Sequence, residues 1–394
     1  MSGDSDSHDA RRALSGGPRP ACPVVRAGDG TWHVHGHAQA RQVLRSTDTV
    51  QAGLGIETVE KLPPGVRRPV LYRDGPEHRE HRRQTARFFT PRRVDERHRE
   101  TMARAADTQL AALRATGRAE LRDLGFGMAI ETVSTVIGLT HSRPGIRRRL
   151  ERFFPEKFGR PGLTRPSGLY WLVRLNTSWL AVHLADVRPA VRAHRRARRD
   201  DLISHLIDEG CTDAEILGEC LTFAAAGMVT TREFVSVAAW HLLADEALLE
   251  TYRTAGEAGR LALLHEILRL EPVVSRLKRR TTAALGLDGG GAPVTVPAGA
   301  PVEIHLADAN TDPAATGPCP LSVRPGREIG AGLSFGDGPH RCPGAGIAVL
   351  ATDTLLTRLF ALPGIRMAAP PRVAYNDAID GYEIRGLTVT ADRS

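Results

Sequence analysis

Leu333-Ser-Phe-Gly-Asp-Gly-Pro-His-Arg-Cys-Pro-Gly-Ala-Gly346 is the stretch on which the reading of this chain turns. Gly336, Gly338, Gly344 and Gly346 crowd Cys342, and an apolar run from Ala345 to Leu362 follows. Glycine permits positive φ and close approach of another body to the backbone. Such a loop folds tightly under a flat ligand and aims one sulfur at its centre. The apolar run predicts a helix, whose start brings free N–H groups and a positive dipole end beside that sulfur. Such surroundings favour a thiolate. A thiolate on a glycine loop at a helix start is what an axial haem-iron ligand requires.

Taken alone, a cysteine among glycines is most often a buried turn residue. The spacing here is more particular: Phe-x-x-Gly-x-His-x-Cys-x-Gly is met at Phe335, Gly338, His340, Cys342 and Gly344. It resembles the haem-binding loop of the cytochrome P450 superfamily, the haem-thiolate monooxygenases. The resemblance implies a mainly α fold with small β-sheets. Haem b (iron protoporphyrin IX) would lie between a long central helix and the cysteine-loop helix. Cys342 would be the axial iron ligand, with Phe335, His340 and Gly344 also in the cofactor-binding set.

The rest of the composition agrees with a globular enzyme. The chain has 394 residues, 41% of them hydrophobic, enough for a sizeable core. No apolar run is long enough to predict a transmembrane helix. Met1 to Pro20 is polar and lacks the apolar segment of a signal peptide. Residues 1–20 read as a disordered arm, and 21–394 as one catalytic domain. Cys22, Cys211, Cys220, Cys319 and Cys342 form no C-x-x-C pair. A disulfide framework is not expected, and a reducing cytoplasm fits. The net charge of +8 is carried almost wholly by arginine, the only lysines being Lys61, Lys157 and Lys278. Basic chains bind nucleic acid or dock acidic redox partners. The arginines are spread along the chain with no zinc-type spacing or aromatic-interleaved stripe, so nucleic acid is not expected.

Along the chain, Trp32 to Gly36 predicts a strand and turn, Ala38 to Leu44 a short helix, and Gly53 to Val70 a loop. Asp74 or Gly75 caps a helix with Pro76 in its first turn, reaching Phe89. His78 and Arg82, four apart, share a face. This segment resembles the superfamily's His-x-x-x-Arg helix, whose two side chains bind a haem propionate; His81 falls on another face. The resemblance adds Arg279 as a further propionate ligand, with Arg280 the alternative.

Thr212-Asp-Ala-Glu215 is a capping box opening a helix that runs to about Leu243, roughly 45 Å at 1.5 Å per residue. Ala225, Ala226 and Gly227 leave room against its middle. Ala226-Gly-Met-Val-Thr-Thr231 resembles the family's oxygen-binding Ala-Gly-x-Asp/Glu-Thr-Thr segment. That makes Ala226, Gly227, Thr230 and Thr231 the catalytic set. The acid is missing, and Val229 stands in its place. Either Thr230 and water relay protons, or Glu233 one turn beyond contributes. The plainer alternative for Glu233 is an exposed acid paired with arginine. Glu266 and Arg269 are three apart on another helix. The resemblance implies a structural ion-pair network joining them to a later arginine, Arg327 by count or else Arg324.

Strands are predicted near 284–287 and 294–296, and Gly381 to Gly386 as a hairpin, whose tip the resemblance implies would dip into the pocket. Pro343 directly after the cysteine departs from the family pattern. So do Val349 and Ala351, where the cysteine helix often carries Arg and Glu on the redox-partner face. The expectation is a monomeric cytoplasmic monooxygenase oxidising a small organic substrate, of secondary-metabolite type. It would use O2 and electrons from a separate ferredoxin and ferredoxin reductase, with no membrane or nucleic-acid partner. The alternatives are oxidative C–C or C–N coupling without oxygen insertion and, more remotely, a haem sensor.

Overall fold

The computed structural model describes residues 19–53, 55–60, 66–154, 165–376 and 380–393. Most of the arm expected over 1–20 lies outside these residues. Arg19, within the range assigned to it, is ion-paired with Asp312 at 2.8 Å. The fold is mainly helical, with four small sheets.

Three helical stretches carry the main core. Leu121–Ile137 is apolar nearly all round, and twelve of its residues are buried. An all-round apolar helix belongs inside a domain. Against it packs the long stretch predicted from the capping box: Asp213–Ala224, a π-helical turn Ala225–Val229, and Thr230–Ala244. The capping box itself is present, Thr212 and Glu215 bonding reciprocally. The cysteine helix, Ala345–Phe360, joins the same apolar cluster through Ile347, Leu350, Leu355 and Leu359. Val349 and Ala351 are buried in that cluster too. The absent charges at these positions therefore do not alter the surface as the sequence suggested; charges there would have to be buried.

The strands, in chain order, begin with β1 (Val24–Arg26), β2 (Trp32–Val34), β3 (Thr49–Ala52), β4 (Arg118–Glu120), β5 (Arg276–Thr281) and β6 (Leu285–Asp288). They continue with β7 (Pro293–Val296), β8 (Pro301–His305), β9 (Arg366–Ala369), β10 (Arg372–Asn376), β11 (Gly381–Arg385) and β12 (Thr388–Thr390). The largest sheet has the order β1-β2-β8-β5-β3, with β2 and β8 parallel. Sequence reading missed β5 and β8. Leu277, Val302 and Ile304 pack inward, but the buried Arg279 and Thr281 lie on the same face of β5 as Leu277, so the apolar signal is short and broken.

Two further expectations are corrected. The loop over 53–70 contains a helical turn, Ile56–Val59. The segment 381–386 is not a whole hairpin. Its strand β11 is one arm, paired antiparallel with Arg372–Asn376 of β10; residues 377–379, between the two arms, lie outside the described residues.

The cysteine loop has little regular structure, so its backbone groups need side-chain partners. The Asn310 carboxamide oxygen accepts from Leu333 N at 2.6 Å, and its Nδ2 donates to Ser334 Oγ and to the Arg269 carbonyl. Ser334 donates in turn to the Leu268 carbonyl at 2.8 Å. Behind this lies a fully buried ion pair. Arg269 Nε and Nη2 donate to the two Glu266 oxygens at 2.8 and 3.1 Å, and Arg327 Nε donates to Glu266 Oε2 at 3.1 Å. Arg324 reaches Glu266 only through its backbone N–H. Arg269 also donates to the carbonyls of Asn310, Pro320 and Ser322.

Truncating one partner of such a pair strands the other charge in the interior, at a cost of about 3–5 kcal/mol. We expect Arg269→Leu to lower the unfolding free energy by that amount, read as a fall in the urea midpoint equal to that cost divided by an unchanged slope. An unchanged midpoint would show that the pair adds nothing to the fold.

Candidate haem site

Gly338 fixes how the cysteine loop meets the rest of the molecule. It has φ +65°, and a Cβ there would lie 2.4 Å from the Leu44 carbonyl oxygen. The loop therefore crosses the end of helix His37–Arg45 with backbone against backbone. Asp337 is held there by Arg41 and Arg45, at 3.0 and 2.9 Å. Cys342 N donates to the Phe335 carbonyl at 2.8 Å, closing the loop under the sulfur. Gly344 is the N-cap of the cysteine helix.

Cys342 is exposed to solvent, yet protein surrounds its thiol closely enough for burial to push its pKa up. A residue with both properties faces an internal cleft. The Gly344 N–H, Arg82 and Arg341 pull the pKa back only in part. A coordinating metal ion deprotonates a thiol outright.

At one edge of this cleft, donors from three distant segments converge. His78 stacks on His340, ring centroids 4.1 Å apart. His340 Nε2 lies 2.9 Å from Asp74 Oδ1, while Asp74 Oδ2 accepts from Gln51 N at 3.1 Å. Asp74 holds the N-cap position of helix Gly75–Thr85, but its side chain makes no capping bond. It bridges the histidine and strand β3 instead. Arg279, on β5, is buried and donates to the Gln51 side chain and the Lys278 carbonyl. Arg280 points the other way and pairs with Glu60 at the surface. A cavity of ≈ 280 Å³ opens between Asp74, His78, Arg279 and His340. Arg82 extends from the same helix to donate to the Arg341 carbonyl.

On the other side of the cleft, Ala226 and Thr230 lie one turn apart on the central helix, and Thr230 Oγ1 donates to the Ala226 carbonyl at 2.6 Å. Both sit at the π-helical turn, a feature that recurs at functional sites. Thr231 is buried. Gly227 faces helix Leu121–Ile137, where a Cβ would come within 2.9 Å of Val133. Its small size serves that packing and not the cleft. Val229 is buried in the main apolar cluster. Glu233 is not the exposed acid considered from the sequence. It is fully buried, takes Arg232 Nε at 2.6 Å and Ile384 N at 2.9 Å, and is turned toward β11. Arg232 and Arg385 pair further with Glu383.

These residues fit a haem on chemical grounds. Porphyrin is a flat apolar ring with two carboxylates on one edge and iron at its centre. Arg279 is a buried guanidinium that, among the described residues, contacts no carboxylate. Burial lowers its pKa to about 10. A propionate is the counter-charge it lacks. His78 and His340 offer ring N–H donors beside it, and Cys342 offers the sulfur.

The comparisons with known proteins agree with the geometry. A fold and site of this kind define a haem-thiolate oxidoreductase. Residues 261–361, which include the Glu266–Arg269 pair and the cysteine loop, match the family model described as Cytochrome P450. The chain is 29% identical over 361 residues to the erythromycin C-12 hydroxylase of Saccharopolyspora erythraea, covering 86% of this chain and 83% of that protein. It is also 29% identical to the nocardicin C N-oxygenase of Nocardia uniformis, covering 87% and 85%. A solved structure of a P450 EryK mutant with erythromycin B superposes with TM-score 0.76 and 26% identity, covering 94% of this chain and 93% of that one. The chain belongs to the cytochrome P450 superfamily. It is an oxidoreductase of that class, whose members bind haem b.

Sequence reading missed Asp74 as a bridge, Gln51 as the Arg279 partner and the Arg232–Glu383–Arg385 cluster. All depend on strand pairings between remote segments, which leave no local signal.

On the face of helix Gly75–Thr85 turned from the cleft, His81 Nε2 has no hydrogen-bond partner among the described residues. Burial, with Arg73 nearby, pushes its pKa from 6.5 down to about 4. Between those values the unfolded chain binds a proton that the folded chain does not, so stability falls as pH drops through that window. The His81→Leu variant should lose less melting temperature than the parent between pH 6.5 and pH 4. An equal loss in both would show that His81 stays protonatable in the fold.

Proposed function

We propose that the chain is a haem-thiolate monooxygenase hydroxylating a small organic molecule of secondary-metabolite type. Cys342 would hold the haem iron through its sulfur, and electrons would arrive from a separate ferredoxin and ferredoxin reductase. The observation that carries this reading is the glycine-rich Cys342 loop meeting a cluster of His78, His340 and a buried Arg279 that, among the described residues, contacts no carboxylate. The relatives named as a hydroxylase of erythromycin and an N-oxygenase of nocardicin support the substrate class and oxygen insertion.

When bound, haem b supplies the reductive activation of dioxygen. Overall, one oxygen atom enters a substrate C–H bond and the other leaves as water, consuming two electrons and two protons. Cys342 would donate electron density to the iron through its thiolate sulfur. Arg279, His78, His340 and Arg82 would hold the propionate edge. Thr230 Oγ1 is the group able to hold and pass a proton on the central helix, its own hydrogen directed at the Ala226 carbonyl in the resting arrangement. Loop 66–73 forms a wall nearby. It is tied to the central helix by Glu215 accepting from Arg67 N at 2.8 Å and Glu219 accepting from Val70 N at 3.0 Å.

Val229 favours a second reading. With an apolar, buried residue in the place of the usual acid, a coupling reaction that joins two carbons, or carbon and nitrogen, without inserting oxygen is the alternative. Product formed under isotopically labelled dioxygen separates the two, because hydroxylation carries label into the product and coupling does not. Cys342→Ser should abolish the strongly red-shifted Soret band of the reduced carbon monoxide complex. Its persistence would remove Cys342 as the ligand.

A further inference from the structure

The largest sheet carries a second constellation, remote in role from the haem cleft. Parallel pairing sets His33 opposite Glu303. Side chains on a strand alternate between faces. His33 on β2 with His35 just beyond its end, and Glu303 and His305 on β8, therefore share one face, while Val34, Val302 and Ile304 on the other are buried. His33 Nδ1 lies 2.8 Å from His305 Nε2, and Glu303 Oε1 lies 3.6 and 3.4 Å from those two atoms. His35, His305 and Asp308 form an overlapping group, with His35 Nδ1 at 2.8 Å from Asp308 Oδ2. The His35 ring stacks on His305 with centroids 4.3 Å apart.

We propose that His33, Glu303 and His305 form a binding site for a divalent cation of the zinc class, with His35 and Asp308 as its supporting shell. Two imidazoles and a carboxylate are a zinc donor set that leaves one position for water. Zinc bonds of about 2.0–2.2 Å give tetrahedral edges of roughly 3.3–3.5 Å between ligand atoms. The Glu303 separations of 3.6 and 3.4 Å already lie near that range. The 2.8 Å contact is the hydrogen bond the two imidazoles make to each other. It has to open by about half an ångström, a small ring rotation for partly exposed side chains. Arg276 Nη1 donates to Glu303 Oε1 at 3.0 Å. Its side chain is 43% exposed and can move to the second carboxylate oxygen or to solvent.

The cation would act as a clamp. Strands β2 and β8 pair over only three residues, yet they join segments about 270 positions apart. Closing so long a loop is what a cross-link does most effectively. His305 is also the N-cap of helix Leu306–Asn310. The clamp therefore sits on the element that presents Asn310 to the cysteine loop.

The test is a zinc chloride titration of the tag-free, chelator-stripped holoprotein, followed by calorimetry and thermal melting. A single saturable site that raises the melting temperature is expected. Loss of an outer partner already costs a metal site about 10–100-fold in affinity. His33→Ala and the near-isosteric Glu303→Gln, which remove ligands, should therefore each weaken binding by about 100-fold or more and abolish the thermal gain. An intact Soret band certifies that each variant still folds. Zinc K-edge absorption should show nitrogen and oxygen neighbours only. Absence of binding, undiminished affinity in both variants, or sulfur in the coordination shell from the exposed Cys22 or Cys319 would each overturn the site.

Discussion

The buried pair of Glu266 and Arg269 is the constraint on which the cysteine loop depends. Both residues are almost wholly buried, so each needs its full complement of partners, or the desolvation cost exceeds the Coulomb gain. The Arg269 guanidinium meets that need only by taking backbone carbonyls of Asn310, Pro320 and Ser322 together with Glu266. These carbonyls belong to chain with almost no helix or strand of its own. The ion pair thus does for the meander before the loop what a hydrogen-bond ladder does for a sheet. Asn310 hands the constraint on to Leu333 and Ser334, the first residues of the loop itself.

A second arrangement fixes the cleft's charged edge. Asp74 is placed where a helix cap is expected, and it spends its carboxylate on His340 and on Gln51 N. Gln51 is then free to present its side-chain oxygen to Arg279. Cap, strand and loop are tied into one chain of bonds. The guanidinium is left buried and short of negative charge. That deficit is an electrostatic description of a carboxylate site, and it exists because the local acid has been committed elsewhere.

Much of this was legible in the sequence, and the reason is locality. The cysteine loop, the His78 and Arg82 pair, the capping box at Thr212 and the Glu266 and Arg269 pair are each defined within a few residues, by glycine geometry or helical spacing. The strands β5 and β8 were not legible, because each shows only a short alternation. The histidine cluster on the sheet was invisible for the same reason: it exists only once β2 and β8 pair in parallel with His33 opposite Glu303. Gly227 was read by residue type and assigned to the cleft. The structure turns it toward Val133, because a π-helical turn changes which side each residue of that helix faces. Glu233 was misread as surface for want of a view of β11, whose backbone it holds.

The same turn explains the valine in the oxygen-side segment. Val229 belongs to the apolar cluster that packs the central helix against its neighbours. A carboxylate there would be buried without the arginines that satisfy Glu233 one turn on, where Arg232 and Arg385 lie close by. Charge on this helix has been moved to the side that anchors β11. The cleft side keeps small residues and the Thr230 hydroxyl. In the proposed monooxygenase, a proton route past this helix would run through the neutral Thr230 hydroxyl and solvent, neither of which titrates near neutrality, and its rate would then depend on how Thr230 is positioned.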